Sequence, residues 1–149
     1  MSRAPRILDD VISTSAAERL HRAGLVWHPH AGDRFALRSA ELAGEVFTIS
    51  DMVVEAHRYP TGTVLGFNGT TEWALDSVEQ DDALWLPRED QLRELLGGTF
   101  RSLARTLDGR YEVLAELAGR PEQVFAAETA ADAYAEALLE LLAVALERG

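Results

Sequence analysis

Apolar positions recur most regularly toward the end of the chain. After Thr129-Ala130-Ala131-Asp132, which reads as a capping sequence, Ala133, Tyr134, Ala137, Leu138, Leu141, Leu142 and Ala145 fall at helical spacing and predict a long amphipathic helix. A shorter helix starts at Pro87, with Glu89 and Asp90 suited to its positive end, Leu92, Leu95 and Leu96 on one stripe, and Gly97-Gly98 as its stop. Near the start, Ser15-Ala16-Ala17-Glu18 fits a capping box and predicts a helix to Ala23, ended by Gly24.

Elsewhere the pattern shortens to strands and turns. Residues 25–30 and 34–38 read as a hairpin around Ala31-Gly32-Asp33, and residues 45–49 as a third strand. Residues 53–59 and 63–67 read as a second hairpin closed by Pro60-Thr61-Gly62; Ser50 could instead cap a helix over 51–56, but the adjacent β-branched Val53 and Val54 favour strand. Asn68-Gly69-Thr70-Thr71 reads as a turn whose Thr71 caps a short helix over 72–79, and residues 82–87 as an apolar linker. Residues 100–107 and 110–118 flank Asp108-Gly109, a two-residue hairpin signal. Counting outward from that turn sets Arg105 opposite Glu112, Leu103 opposite Leu114 and Arg101 opposite Glu116, and leaves Phe100, Ala104, Tyr111, Val113 and Leu117 for helices to cover. A last strand is expected over 122–127.

These elements predict an α+β fold, an antiparallel sheet with helices packed mainly on one face. The order helix, three strands, helix over 87–147 and a weaker helix-plus-hairpin echo from residue 15 suggest internal duplication of a helix–strand–strand–strand unit. A length of 149 residues fits one domain, with an N-terminal tail over 1–12 and halves at about 13–82 and 83–149.

Composition narrows the chemistry. All 14 basic residues are arginine, so every mechanism that needs a lysine amine is excluded: a Walker lysine, a Schiff base, a lipoyl or biotin attachment. Cysteine is absent, which removes disulfides, thiolate metal sites and thiol nucleophiles. A net charge of −11 repels phosphate backbones, so nucleic acid is not an expected partner and a protein with a basic or neutral surface is. The first twenty residues carry Asp9, Asp10 and Glu18 and lack a signal peptide's apolar run, and no stretch approaches a membrane span, so a cytoplasmic protein without an integral membrane segment is expected.

Several clusters could carry function. His28, His30 and Asp33 resemble metal-ligand spacing, but Pro29 interrupts a regular strand and a surface turn is the favoured reading, with no metal or other cofactor expected. Glu55 and His57 would share a strand face with Tyr59, where a carboxylate could orient an imidazole as general base. Glu72, Asp76 and Glu79 recur at helical spacing, as hard oxygen ligands or simply as a solvated face. Gly66 and Glu72 have the spacing that opens a Nudix box, but its later elements are missing. Asn68 lies in the turn between these groups; Trp73 reads as core, and Trp85 as core or interface anchor. The candidate binding set is therefore Glu55, His57, Asn68, Glu72, Trp73, Asp76, Glu79 and Trp85, with no catalytic set.

The stretch 65–79, with Phe67-Asn68-Gly69-Thr70-Thr71-Glu72-Trp73-Ala74-Leu75-Asp76-Ser77 at its centre, and the stretch 85–93 resemble a set of small actinobacterial proteins commonly called pilus assembly protein CpaE. The resemblance covers about residues 15–147. The larger CpaE proteins join a receiver-like domain to a MinD-like ATPase; this chain has neither the length nor the Walker lysine, so the resemblance transfers no catalytic residue.

The leading expectation is a non-enzymatic protein-interaction module. The alternatives are a metal-assisted hydrolase or small-ligand binder using residues 57–79, and a homo-oligomer that buries its last helix against a copy.

Overall fold

The computed structural model describes residues 11–38, 45–49, 55–59, 62–66, 77–79 and 82–148; for 55–59, 62–66, 77–79 and 148 it defines the backbone only. The fold is α+β, with three helices and three-stranded antiparallel sheets among the described residues. The chain divides into two compact units. One joins the segment ending at Leu25 to Pro87 and all that follows, and the other is Val26–Leu86.

In the first unit, helix α1 (Thr14–Arg22) begins earlier than its sequence suggests. Ser13, not Ser15, is the N-cap, and its Oγ accepts from Ala16 N at 3.1 Å. That start is chosen from outside the helix: the Ser13 N–H donates to Asp132 Oδ1 at 2.8 Å, in the first turn of α3 (Ala130–Arg148). Ala16, Ala17 and Leu20 are buried, and Arg19 grips Glu136 through two hydrogen bonds of 2.7 and 3.1 Å. Gly24 follows the C-cap at φ 105°, a conformation that glycine adopts without a Cβ clash.

Helix α2 (Glu89–Leu96) is capped by Arg88, whose N–H donates to Gln91 Oε1 at 2.9 Å; Pro87 stands just before the cap rather than in the first turn. The Arg88 guanidinium, 3.0 Å from Asp90, holds the Asp90 carboxyl below its ordinary range. Leu92 and Leu96 are buried, but Leu95 is exposed, because so short a helix turns one edge inward. α3 is capped as expected, with Thr129 Oγ1 accepting from Asp132 N at 3.1 Å. Its buried set differs from the predicted stripe: Ala131, Ala133, Tyr134, Ala135, Ala137 and Leu138 are all inside, and Val144 replaces Ala145. The first half of α3 packs on α1, α2 and the sheet together, so its burial is not confined to one face.

That sheet is the meander β7 (Phe100–Arg105), β8 (Tyr111–Ala115), β9 (Gln123–Ala127). Its register corrects the two-residue turn. Thr106 N donates to Arg110 O at 2.8 Å and Gly109 N to Thr106 O at 3.0 Å, which makes a three-residue loop with Gly109 at φ 87°. Arg105 therefore faces Tyr111, Ala104 faces Glu112 and Leu103 faces Val113. A slip of one residue exchanges faces, so Ala104 lies opposite the helix-covered side rather than on it. The Arg101–Glu116 pair still forms, at 3.3 Å, with an irregularity between Phe100 and Ser102 shifting the register back.

The second unit holds a sheet ordered β2-β1-β6, from β1 (Arg34–Leu37), β2 (Phe47–Thr48) and β6 (Ala83–Leu86). Residues 83–86, read as a linker, form an edge strand here. Residues 25–30 form no strand: β1 has its two sides taken by β2 and β6, and Pro29 has no N–H to give a ladder. Phe35 faces Phe47 on one side and Trp85 on the other, and Trp27 packs over that row. The third sheet is the meander β3 (Glu55–Tyr59), β4 (Gly62–Gly66), β5 (Ser77–Glu79). The expected hairpin is present, with Tyr59 facing Gly62. Of the helix expected over 72–79, residues 72–76 lie outside the described residues and Ser77–Glu79 is a strand, because β4 offers an edge on which Val78 pairs with Leu65. Two meanders thus recur along the chain, loosely in keeping with a helix–strand–strand–strand repeat, though α1 is followed by the crossed-over sheet.

Asp132→Ala, which removes the acceptor of the Ser13 N–H, is expected to lower stability by about 1–3 kcal/mol. Arg19→Ala, at an exposed ion pair, is expected to cost less than about 1 kcal/mol. Urea unfolding followed by far-UV circular dichroism ranks the two; a larger loss in Arg19→Ala would contradict the assignment of the α1 start to Asp132.

Candidate functional site

The residues singled out in the sequence do not assemble into a described site. Asn68, Glu72, Trp73 and Asp76 lie outside the described residues. Glu55 and His57 stand two positions apart in β3, and His57, Val64 and Glu79 occupy one row across β3, β4 and β5. Glu79 is therefore a strand residue, not the end of an acidic helix face. Trp85 is half-buried and stacked on Trp27, with ring centroids 6.4 Å apart and planes 9° apart, and its Nε1 is buried without a hydrogen-bond partner.

The His28, His30 and Asp33 cluster has a structural explanation. Asp33, 2% exposed, accepts from Trp27 Nε1 at 2.9 Å and from His30 N at 3.0 Å through the same oxygen, Oδ2. His30 Nδ1 lies 2.6 Å from the His28 carbonyl oxygen. The carboxylate thus fixes an indole and a backbone N–H, and no group of three metal-ligating side chains occurs among the described residues.

The surface that stands out is in the first unit. Val113 and Ala115 of β8 are fully buried on the face that carries α3, and α3 packs on β8 and β9. β7 lies beyond that footprint. Phe100 is anchored at its start, with its ring 5.6 Å from that of Tyr134 and the Arg93 guanidinium 4.4 Å from its ring centre. From Arg101 to Arg105, however, every residue of β7 is exposed. Leu103 shares the helix-side face with Val113, while Ser102 and Ala104 point the other way with Leu114, Val124 and Ala126. On that far face Val124 is 57% exposed, so a small apolar surface is left open to water beside the edge strand.

Arginines frame this strand. Arg101 pairs with Glu116, and the Arg105 guanidinium lies 5.6 Å from the Tyr111 ring centre. Among the described residues β7 pairs with β8 alone, so no described strand takes its outer edge; β9 is the sheet's other edge strand. Sequence reasoning found the hairpin but missed this surface, because the turn-derived register put Ala104 under the helices. The available signal was Arg101 and Arg105 flanking Leu103 in a strand of small side chains.

Comparison with protein families, curated proteins and solved structures finds no match to this chain.

Two measurements probe these assignments. Asp33→Ala removes the acceptor shared by Trp27 and His30, and is expected to cost about 1–3 kcal/mol and to red-shift tryptophan fluorescence; an unchanged spectrum and midpoint would contradict its structural role. Burial pushes the Tyr134 phenol above its ordinary 10.0, with Arg93 opposing and Glu89 reinforcing the shift. A folded value above the unfolded one means stability is complete below the unfolded value and is lost as pH rises through the folded one. The unfolding midpoint should therefore fall above about pH 10, and Tyr134→Phe should flatten that decline.

Proposed function

We propose that this chain is a non-enzymatic protein-interaction module that receives its partner on the β7–β8–β9 sheet. The observation that carries the reading is the exposure of every residue from Arg101 to Arg105, beside the open face of Ser102, Ala104, Leu114, Val124 and Ala126. An exposed edge strand is a ready template for another chain, and folded proteins commonly blunt or cover such edges. Here α3 packs mainly on the neighbouring strands and meets β7 at Phe100. The net charge of −11 favours a partner that is basic or neutral overall. Pilus or secretion components, the setting suggested by the resemblance to CpaE-labelled proteins, are the first to look for.

The test is site-specific photo-crosslinking in cells. A photoreactive residue at Ser102 or Val124 is expected to capture a defined protein that the same residue at Arg22, exposed on α1, does not. Equal capture at all three positions, or none at Ser102 and Val124, would refute the reading.

A further inference from the structure

We infer that the outer edge of β7 is a strand-addition site for an extended segment carrying two carboxylates four residues apart around an apolar centre, an inference that rests on the interaction reading above. The hydrogen bond from Thr106 N to Arg110 O makes Thr106 and Arg110 a bonded pair. In an antiparallel ladder bonded and non-bonded pairs alternate, so Ala104 with Glu112 and Ser102 with Leu114 bond inward. The N–H and C=O of Leu103 and Arg105 consequently point away from β8, where a partner strand can take them.

Charge decides what that strand is. A second copy of the chain is disfavoured. Antiparallel pairing of β7 with itself has registers that bring the outward groups together with Leu103 on Leu103, Arg105 on Arg105, or Leu103 on Arg105. The first sets Arg101 opposite Arg105 at both ends, the second sets Arg105 against itself, and the third leaves the arginines diagonal to one another. Like charges in these positions oppose pairing, and opposite charges favour it. A segment of the pattern Glu-x-Val-x-Glu, run antiparallel with its valine on Leu103, places one carboxylate across from Arg105. It brings the other toward Arg101, beside the irregularity between Phe100 and Ser102, where it competes with Glu116 for the guanidinium. The overall charge of −11 does not prevent this, because at physiological ionic strength fields decay over about 8 Å, and Arg105 and the Arg101–Glu116 pair stand on or beside the strand itself. The segment is thus a locally acidic strand within a partner that is neutral overall.

The probe is the capped peptide Thr-Glu-Thr-Val-Thr-Glu-Thr, titrated to millimolar concentration into the full chain while the amide signals of residues 102–106 are followed by NMR. Saturable shifts are expected, with the peptide carrying lysine in place of both glutamates binding at least tenfold more weakly. The Arg101→Glu/Arg105→Glu variant should reverse that preference. Leu103→Pro, which deletes an outward N–H without touching the β8 ladder, should weaken the acidic peptide at least fivefold with unchanged circular dichroism. Absence of saturable binding, an acidic preference that survives charge reversal, or a β7-dependent dimer in sedimentation would each overturn the inference. Crosslinks at Val124 without peptide binding would sink the strand-addition site while leaving the interaction reading intact; loss of both would sink both.

Discussion

The first half of α3 is enclosed on several sides, by α1, by α2, and by β8 and β9, and alanine makes that enclosure feasible. Ala131, Ala133, Ala135 and Ala137 carry almost no bulk, so neighbouring elements can approach the helix axis while the backbone keeps a strong helix former at each position. Larger residues at these positions would force the neighbours outward, with the usual cost of overpacking. The same helix supplies the polar fastenings: Asp132 receives the Ser13 N–H and Glu136 receives Arg19 one turn later. Chain segments more than a hundred residues apart are thereby held together as one unit.

The position of β7 follows from the same enclosure. α3 packs mainly on β8 and β9, so β7 is tied to the unit by its ladder to β8 and by the contact of Phe100 with Tyr134 of α3 at its start. Its open edge would invite self-association if its side chains were neutral. Arg101 and Arg105 make pairing between identical edges unfavourable while leaving the backbone groups accessible. On the proposed strand-addition reading, one arrangement of charge would both disfavour pairing of copies and favour a complementary strand.

The Val26–Leu86 unit shows how a motif can mislead. Two histidines and an aspartate within six residues look like ligands, yet the carboxylate is committed to an indole and a backbone N–H. Asp33 orients Trp27 over the row formed by Phe47, Phe35 and Trp85, and its own backbone N–H and C=O are tied to His30 and Ile49. A buried acceptor of two hydrogen bonds is a structural part of the aromatic core rather than a vacant ligand.

Local chemistry was enough to determine the α+β class, the cap of α3, the bodies of α2 and α3, the β3–β4 hairpin and the existence of β7, β8 and β9. Each depends on residues close together in the chain: Thr129 with Asp132, the leucines of α2, the paired strands that end at Tyr59 and begin at Gly62. Tertiary structure decided the rest, because there the partner is distant. Ser13 rather than Ser15 caps α1 because Asp132 waits across the unit; Ser77–Glu79 is extended because β4 offers it an edge; residues 83–86 are a strand because β1 does. The candidate surface belongs to this second class. One extra residue in the 107–109 loop exchanged the faces of β7, and only the footprint of α3 determined which strand stayed open.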